Sequence, residues 1–390
     1  MNSKNIVSRR RFVGGVAAAA GYFGLRAGSP LWAQTAEGTH GTPVVVPSTA
    51  GNYDALDKLC FNENPYGPPE SVVTAMAHAL KYANRYGYPD GGLIQAIADH
   101  HGVKPENVVL GAGSTEVLQM VADAFLPDHK QVVGVEPTFG SVYEFATGLK
   151  ASAIKVPLLP DHRQDIPGMI KAAQDNQKTV GFVYLCNPNN PTGAIVTRTE
   201  VKQLLDGIPA NLPVLIDEAY HHFAEDADYA TSIPYVLEGR PVIVTRTFSK
   251  IAALAGMRLG YGIAPATLID QMRPFMGSMT INALVKWGAV AALKDTAAME
   301  KARQDTIRVR KQTIAEITAL GYSVIPSECN FFMINIRRQV RPVIKAFQER
   351  GILVGRPFPP MLEFLRVSVG TTPEMNRFMA AFKEILPAAK

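Results

Sequence analysis

The chain is poor in cysteine. Its 390 residues hold three, Cys60, Cys186 and Cys329, and no two lie close enough for a C-x-x-C pair, which excludes the common zinc and thiol-redox motifs. The histidines lack metal spacing too. His100-His101 and His221-His222 are adjacent pairs, not the i, i+4 pair with a carboxylate that a helical zinc site uses, so no metal is expected. No apolar run approaches the ~20 residues of a bilayer-spanning helix. There is no fixed-period repeat and no low-complexity block, since the 32 glycines and 28 prolines are dispersed. The remaining composition is ordinary for a globular protein: 47% hydrophobic and 19% charged residues exclude a largely disordered chain. The length is enough for two domains with separate cores.

The net charge of +5 sits at one end. Lys4, Arg9, Arg10, Arg11 and Arg26 fall within residues 1–33, which hold no acid. Taking those five from the 39 Lys+Arg leaves 34, against 34 Asp+Glu. The rest of the chain is formally neutral, and nucleic acid is not an expected partner. The stretch SRRRFVGGVAAAAGYFGL places paired arginines before a Gly/Ala-rich apolar segment, and Ala33 offers a small residue for cleavage. It resembles a twin-arginine export signal. The expectation is a periplasmic or secreted protein with no membrane anchor once the signal is removed. The bland reading is a basic tail beside a buried helix.

Beyond a polar arm the pattern repeats strand, turn, helix. NVVLGAG, QVVGVEP, TVGFVYLCNP, LPVLIDEAY, PVIVTRT and LGYGIA are apolar runs rich in β-branched residues and mostly without in/out alternation. Strands buried on both faces read this way, so the fold class is α/β, with a mainly parallel sheet between helical layers. After about residue 276 a long charged helix ending at Gly321 precedes shorter strands and helices, as in a smaller α+β domain. The expected division is a signal at 1–33, an arm at 34–66 joining the smaller domain, a large domain at 67–275 and a small one at 276–390.

Polar clusters follow the apolar runs: Gly111 to Thr115, Pro137 to Gly140, Asn187 to Gly193, Asp217 to Tyr220, and Thr247 to Lys250. Ligands of open α/β sheets bind outside the carboxyl ends of strands, so the clusters are expected to share one cleft. GAGST lacks the third glycine of a dinucleotide fingerprint, yet its helix N-terminus suits a phosphate, with simple capping as the alternative. Asp217 closes a buried strand and needs a partner there. That partner is either a structural cation or a protonated ring nitrogen. Asn190 lies in a turn rigidified by prolines, and Phe139 is either core or a stacking surface. Lys250 is inert at its ordinary pKa near 10.4; desolvation and nearby cations activate such an amine toward carbonyls. Arg258, Thr247 and Ser249 suit a phosphate. One ligand accounts for all of these, a flat phosphorylated pyridine aldehyde: pyridoxal 5′-phosphate.

TRTFSKIAALAGMRLGY, with NPNNPTG, DEAY, FNENPYGPP, RYGYPDGG and LRVSVGT, resembles the fold-type-I pyridoxal-phosphate aminotransferases of class I/II, and within them the histidinol-phosphate aminotransferase group. The resemblance covers about residues 55–385. It implies a three-layer αβα large domain, a homodimer with shared active sites, and ping-pong transfer between an amino donor and a 2-oxo acid. It implies that Lys250 bonds the cofactor and shuttles the proton, that Asp217 pairs with the pyridine nitrogen, and that Tyr220 and Asn190 bond the ring oxygen. Phe139 would stack on the ring. Ser114, Thr115, Thr247, Ser249 and Arg258 would hold the phosphate, joined by Tyr88, or Tyr86, of the neighbouring subunit. Arg366 would clamp the substrate carboxylate, with Asn330, Tyr66 and Arg356 lining the substrate pocket. GILVGRPFPP departs from the relatives by setting Gly355 before Arg356. A decarboxylase or lyase of the same fold, and a non-catalytic periplasmic binder of the cofactor or an amine, are the competing readings.

Overall fold

A computed structural model describes residues 53–277 and 280–387. The signal at 1–33, its cleavage site and the first part of the arm lie outside the described residues.

Seven strands form the main sheet: β2 (Val108–Gly111), β3 (Gln131–Glu136), β4 (Ser152–Pro157), β5 (Val180–Cys186), β6 (Val214–Asp217), β7 (Val242–Thr247) and β8 (Gly260–Ile263), in the order β2-β8-β7-β6-β5-β3-β4. All run parallel except β8, which is antiparallel to both neighbours. β5, β6 and β7 are buried along their whole length, because alternate residues feed two cores. Val183, Leu185, Val214, Ile216, Val242 and Val244 face one core. Phe182, Tyr184, Leu215 and Ile243 face the other. Helices Leu93–His101, Ile166–Asp175 and Arg198–Gly207 cover the first face, and Ser114–Phe125, Ser141–Gly148 and Ala266–Met272 the second. The result is the expected three-layer αβα arrangement.

A third core gathers around an antiparallel sheet of β9 (Ser323–Val324), β10 (Phe331–Asn335) and β12 (Phe364–Ser368), in the order β12-β10-β9. Helices Thr296–Ala319, Val340–Gln348 and Thr372–Ile385 pack on it. The first of these stops where Gly321 takes a positive φ of 85°, a conformation glycine enters without steric cost. The arm contributes β1 (Asp57–Leu59), which pairs in parallel with β11 (Ile352–Val354).

Helix Ala283–Lys294 falls within the range read as the small domain, yet it packs elsewhere. Val285, Ala289 and Ala292 join the core of the seven-stranded sheet. At Gly288 an added Cβ would lie 2.7 Å from Cγ of Met76. Small residues here let the helix lie close against helix Glu70–Ala79, a fit that composition alone does not reveal.

Candidate active site

The carboxyl ends of β5, β6 and β7 open into a cleft of about 230 Å³. Ser114, Thr115, Phe139, Asn190, Asp217, Tyr220, Thr247, Ser249, Lys250 and Arg258 all line it, joined by Phe61, Glu63, Ala219 and Ala255. The reversed strand β8 explains the proximity of Lys250 and Arg258. The chain leaves β7 at Thr247, loops over the cleft and returns antiparallel at Gly260.

One end of the cleft is built for an anion. Helix Ser114–Phe125 begins there with no side-chain cap on its first turn, so its N–H groups and dipole face the ligand side. Arg258 lies across it, donating Nη1 to the carbonyl of Ala255 at 2.9 Å and to Ser249 Oγ at 3.5 Å. Gly113 makes room for it: with φ +81°, a Cβ added there would collide with Arg258 Nη2. Thr247 Oγ1 accepts from the Ser249 N–H at 3.0 Å and so fixes the turn into Lys250.

Lys250 donates from Nζ to the carbonyl of Phe61 at 3.1 Å, and Nζ lies 5.6 Å from the ring centroid of Tyr220. Burial lowers its pKa to about 8, helped by the cations of Arg366 and Arg258 and opposed by Glu63. Asp217 is 3% exposed. Its Oδ1 accepts from the Ala219 N–H and from Thr245 Oγ1, each at 3.2 Å. Burial outweighs those bonds and raises its pKa to about 6. A carboxyl in that state gains most from a cationic partner inside the cleft. Glu218 turns away and is spent structurally, accepting from buried Arg246 at 2.8 Å and from the Ser232 N–H at 2.6 Å.

Two polar side chains have their orientation set from behind. Arg366 can only donate, so the atom of Asn190 that it meets at 2.7 Å is Oδ1, which leaves the Asn190 amide N–H groups for other partners. Tyr220 accepts from Asn62 Nδ2 at 3.0 Å. The Asn62 Oδ1 accepts in turn from Ser368 Oγ at 2.9 Å. The phenol therefore keeps its own proton to donate.

The residues expected in the substrate pocket are less uniformly placed. Arg366 is not in the cleft lining; it is buried beside Asn190, with Nη2 on the carbonyl of Cys60 at 2.8 Å, and its buried Nε has no hydrogen-bond partner among the described residues. Burial lowers its pKa to about 10. Asn330 donates to the carbonyls of Asn62 and Glu63 at 3.0 and 3.3 Å and braces the arm. Arg356 does not line the cleft; its guanidinium carbon lies 4.4 Å from the Phe358 ring centroid. Tyr66 is 41% exposed and outside the cleft of its own chain. Tyr88 also stays outside, donating to the carbonyl of Ile281 at 2.6 Å, while Tyr86 is 90% exposed. Cys60, Cys186 and Cys329 are buried and free.

The sequence alone assigns no role to Phe61, Asn62 or Ser368. FNENPYGPP and LRVSVGT stand out as motifs, but the contact between Asn62 and Ser368 spans 306 positions and leaves no local pattern.

The sequence profile of the family Aminotransferase class I and II matches residues 56–382. A histidinol-phosphate aminotransferase of Moorella thermoacetica is 37% identical, over 84% of this chain and 85% of its own. An aromatic amino acid aminotransferase of Rhodococcus jostii is 33% identical, over 87% and 92%. Histidinol-phosphate aminotransferase of Sinorhizobium meliloti, solved in complex with pyridoxal-5′-phosphate, superposes with a TM-score of 0.80 at 23% identity, covering 94% of this chain and 96% of that one.

Proposed function

Because the chain belongs to the class I and II aminotransferase family, we infer that it is an aminotransferase working with pyridoxal 5′-phosphate. It moves an amino group between an amino acid and a 2-oxo acid by a ping-pong route. The observation that carries the site assignment is the setting of Lys250, a desolvated amine between an anion cradle and a buried carboxyl.

The residues fit the cofactor. Ser114, Thr115, Thr247, Ser249 and Arg258 would hold its phosphate, with Arg258 seated in the space that Gly113 leaves by lacking a Cβ. Asp217 would hold a proton on the ring nitrogen. Asn190 and Tyr220 would donate to the ring oxygen, and Phe139 would cover a ring face. When bound, pyridoxal phosphate supplies an electron sink for the charge left at the substrate α-carbon. The chain supplies the rest. Lys250, with its pKa near 8, takes the α-proton and returns it, as a general base tuned close to working pH does. Arg366, held beside Asn190, would supply the cation for the substrate carboxylate.

We take the donor to be a free α-amino acid, with aromatic ones included, in preference to histidinol phosphate; Arg366 serves the 2-oxo acid with either donor, so the preference rests on Arg356. Gly355 supports this, because Arg356 turns onto Phe358 and the carbonyl of Pro357 instead of lining the cleft. We also read the active unit as a homodimer whose partner lends Tyr88, or exposed Tyr86, to each cleft, and the leader as an export signal of the twin-arginine route.

The test is Lys250→Ala. It should abolish both transamination and the capture of cofactor on the protein by borohydride, read as added mass. Retained transfer would remove the assignment. A panel of donors, assayed with and without an oxo acid, reads the substrate; turnover without any oxo acid would mark a decarboxylase or lyase instead.

A further inference from the structure

Arg366 is held by more than its hydrogen bonds. Its guanidinium carbon lies 4.4 Å from the ring centroid of Phe358 and 5.3 Å from that of Phe331. Phe358 sits outside the cleft lining and belongs to a turn that folds back on itself. Met361 N–H donates to the Phe358 carbonyl at 2.7 Å. The ring is 6% exposed and packed with Ile325, Met333 and Met361.

The turn reaches Arg366 because of Gly355. Its N–H donates to the Arg366 carbonyl at 2.9 Å. A Cβ there would lie 2.8 Å from that oxygen and 3.1 Å from the Arg366 Cβ. Without a side chain the backbone lies flat against β12, and the next residues curl over the arginine. Arg356 then meets the same ring, also at 4.4 Å. An aromatic face attracts a guanidinium through its quadrupole, most strongly where water is excluded.

We propose that Phe358 is a positioning residue: its ring holds the Arg366 guanidinium in the orientation fixed by Asn190 and the Cys60 carbonyl, ready for the substrate carboxylate, and it draws Arg356 away from the cleft. The inference rests on the reading that Arg366 binds that carboxylate. The bland alternative is that Phe358 only fills core. The two differ in what a residue of similar size without a π-face would do.

The experiment compares Phe358→Leu, Phe358→Trp and Arg366→Lys in the cofactor-loaded enzyme. Succinate and 3-phenylpropionate, unreactive carboxylates, are titrated by the change in visible absorption. KM and kcat for the amino donor, the cofactor dissociation constant and the melting temperature are measured alongside. Phe358→Leu should weaken both carboxylates about 10- to 30-fold, the scale of a desolvated cation–π contact. It should raise KM more than it lowers kcat and leave cofactor affinity unchanged, and Phe358→Trp should restore carboxylate binding. If Phe358→Leu lowers the melting temperature yet leaves carboxylate affinity intact while Arg366→Lys destroys it, the positioning role is overturned and the Arg366 reading stands. If Arg366→Lys also binds both carboxylates normally, the Arg366 reading falls and takes this inference with it.

Discussion

Lys250 Nζ donates to the main-chain carbonyl of Phe61 at 3.1 Å, across 189 positions of sequence. The arm thus aims the reactive amine. Burial brings its pKa to about 8, and only the unprotonated amine attacks an aldehyde. Loading of the cofactor-free protein with pyridoxal phosphate should therefore speed up as pH rises and level off above about 8. Stopped-flow absorbance at a series of pH values reads the midpoint. A midpoint near 10.4, the ordinary lysine value, would show an amine that burial does not activate.

Asp217 separates stability from catalysis. Its carboxyl is raised from 3.8 to about 6. A group whose folded value is raised contributes stability that is present below the unfolded pKa and lost as pH rises through the folded one. At about pH 7.5 the ionised acid costs the cofactor-free protein about 3 kcal/mol. Asp217→Asn should melt higher than wild type at about pH 7.5, with the gap narrowing toward about pH 4. The same variant, loaded with cofactor, should lose roughly 10²- to 10³-fold in kcat, the scale of one missing partner in a buried ion pair. Calorimetry and steady-state kinetics on one preparation give both numbers.

Gly113→Ala puts a methyl group where Arg258 Nη2 lies, at a φ of +81°. Backbone strain of this kind costs about 1–3 kcal/mol. Displacing the arginine removes a charge-assisted contact to phosphate as well. The dissociation constant for pyridoxal phosphate should rise about 10-fold or more, while pyridoxal, which lacks the phosphate, should bind with little change. Equilibrium titration with both compounds distinguishes a phosphate defect from general damage.

Acid should weaken the fold through a histidine cluster. His101 is held down to about 3 by burial, by Arg246 and by His100, and its Nε2 lies 2.8 Å from the Tyr261 hydroxyl. His221 and His222 are pushed down by burial first, and then by Arg246 and the neighbouring histidines. Depressed bases are neutral in the folded chain and protonate on unfolding. Stability is then full above pH 6.5 and is lost between 6.5 and about 3. Melting temperature should fall across that window, and His101→Gln should flatten the fall.

The sequence carries the sheet well, because strands buried on both faces leave long β-branched runs. It also carries the cleft, since each polar cluster follows such a run directly. It carries less of what orients those groups. Asn62 and Ser368 act through a contact between distant parts of the chain, and Phe358, though near Arg366 in sequence, reads as one more apolar residue in a proline-rich turn. Helix Ala283–Lys294 is hard to place from sequence for a related reason. Its alanines and glycine suit close packing against any partner, and only the fold names helix Glu70–Ala79 as that partner.

The hairpin that β7 and β8 make has a consequence for inheritance. Amine and anchor are encoded in one short reading frame between two strands locked side by side. A gene crossover inside that interval would marry the lysine of one ancestor to the arginine of another. Chimeras joined there should be rare among active recombinants, whereas joins on the far side of β8 should be tolerated.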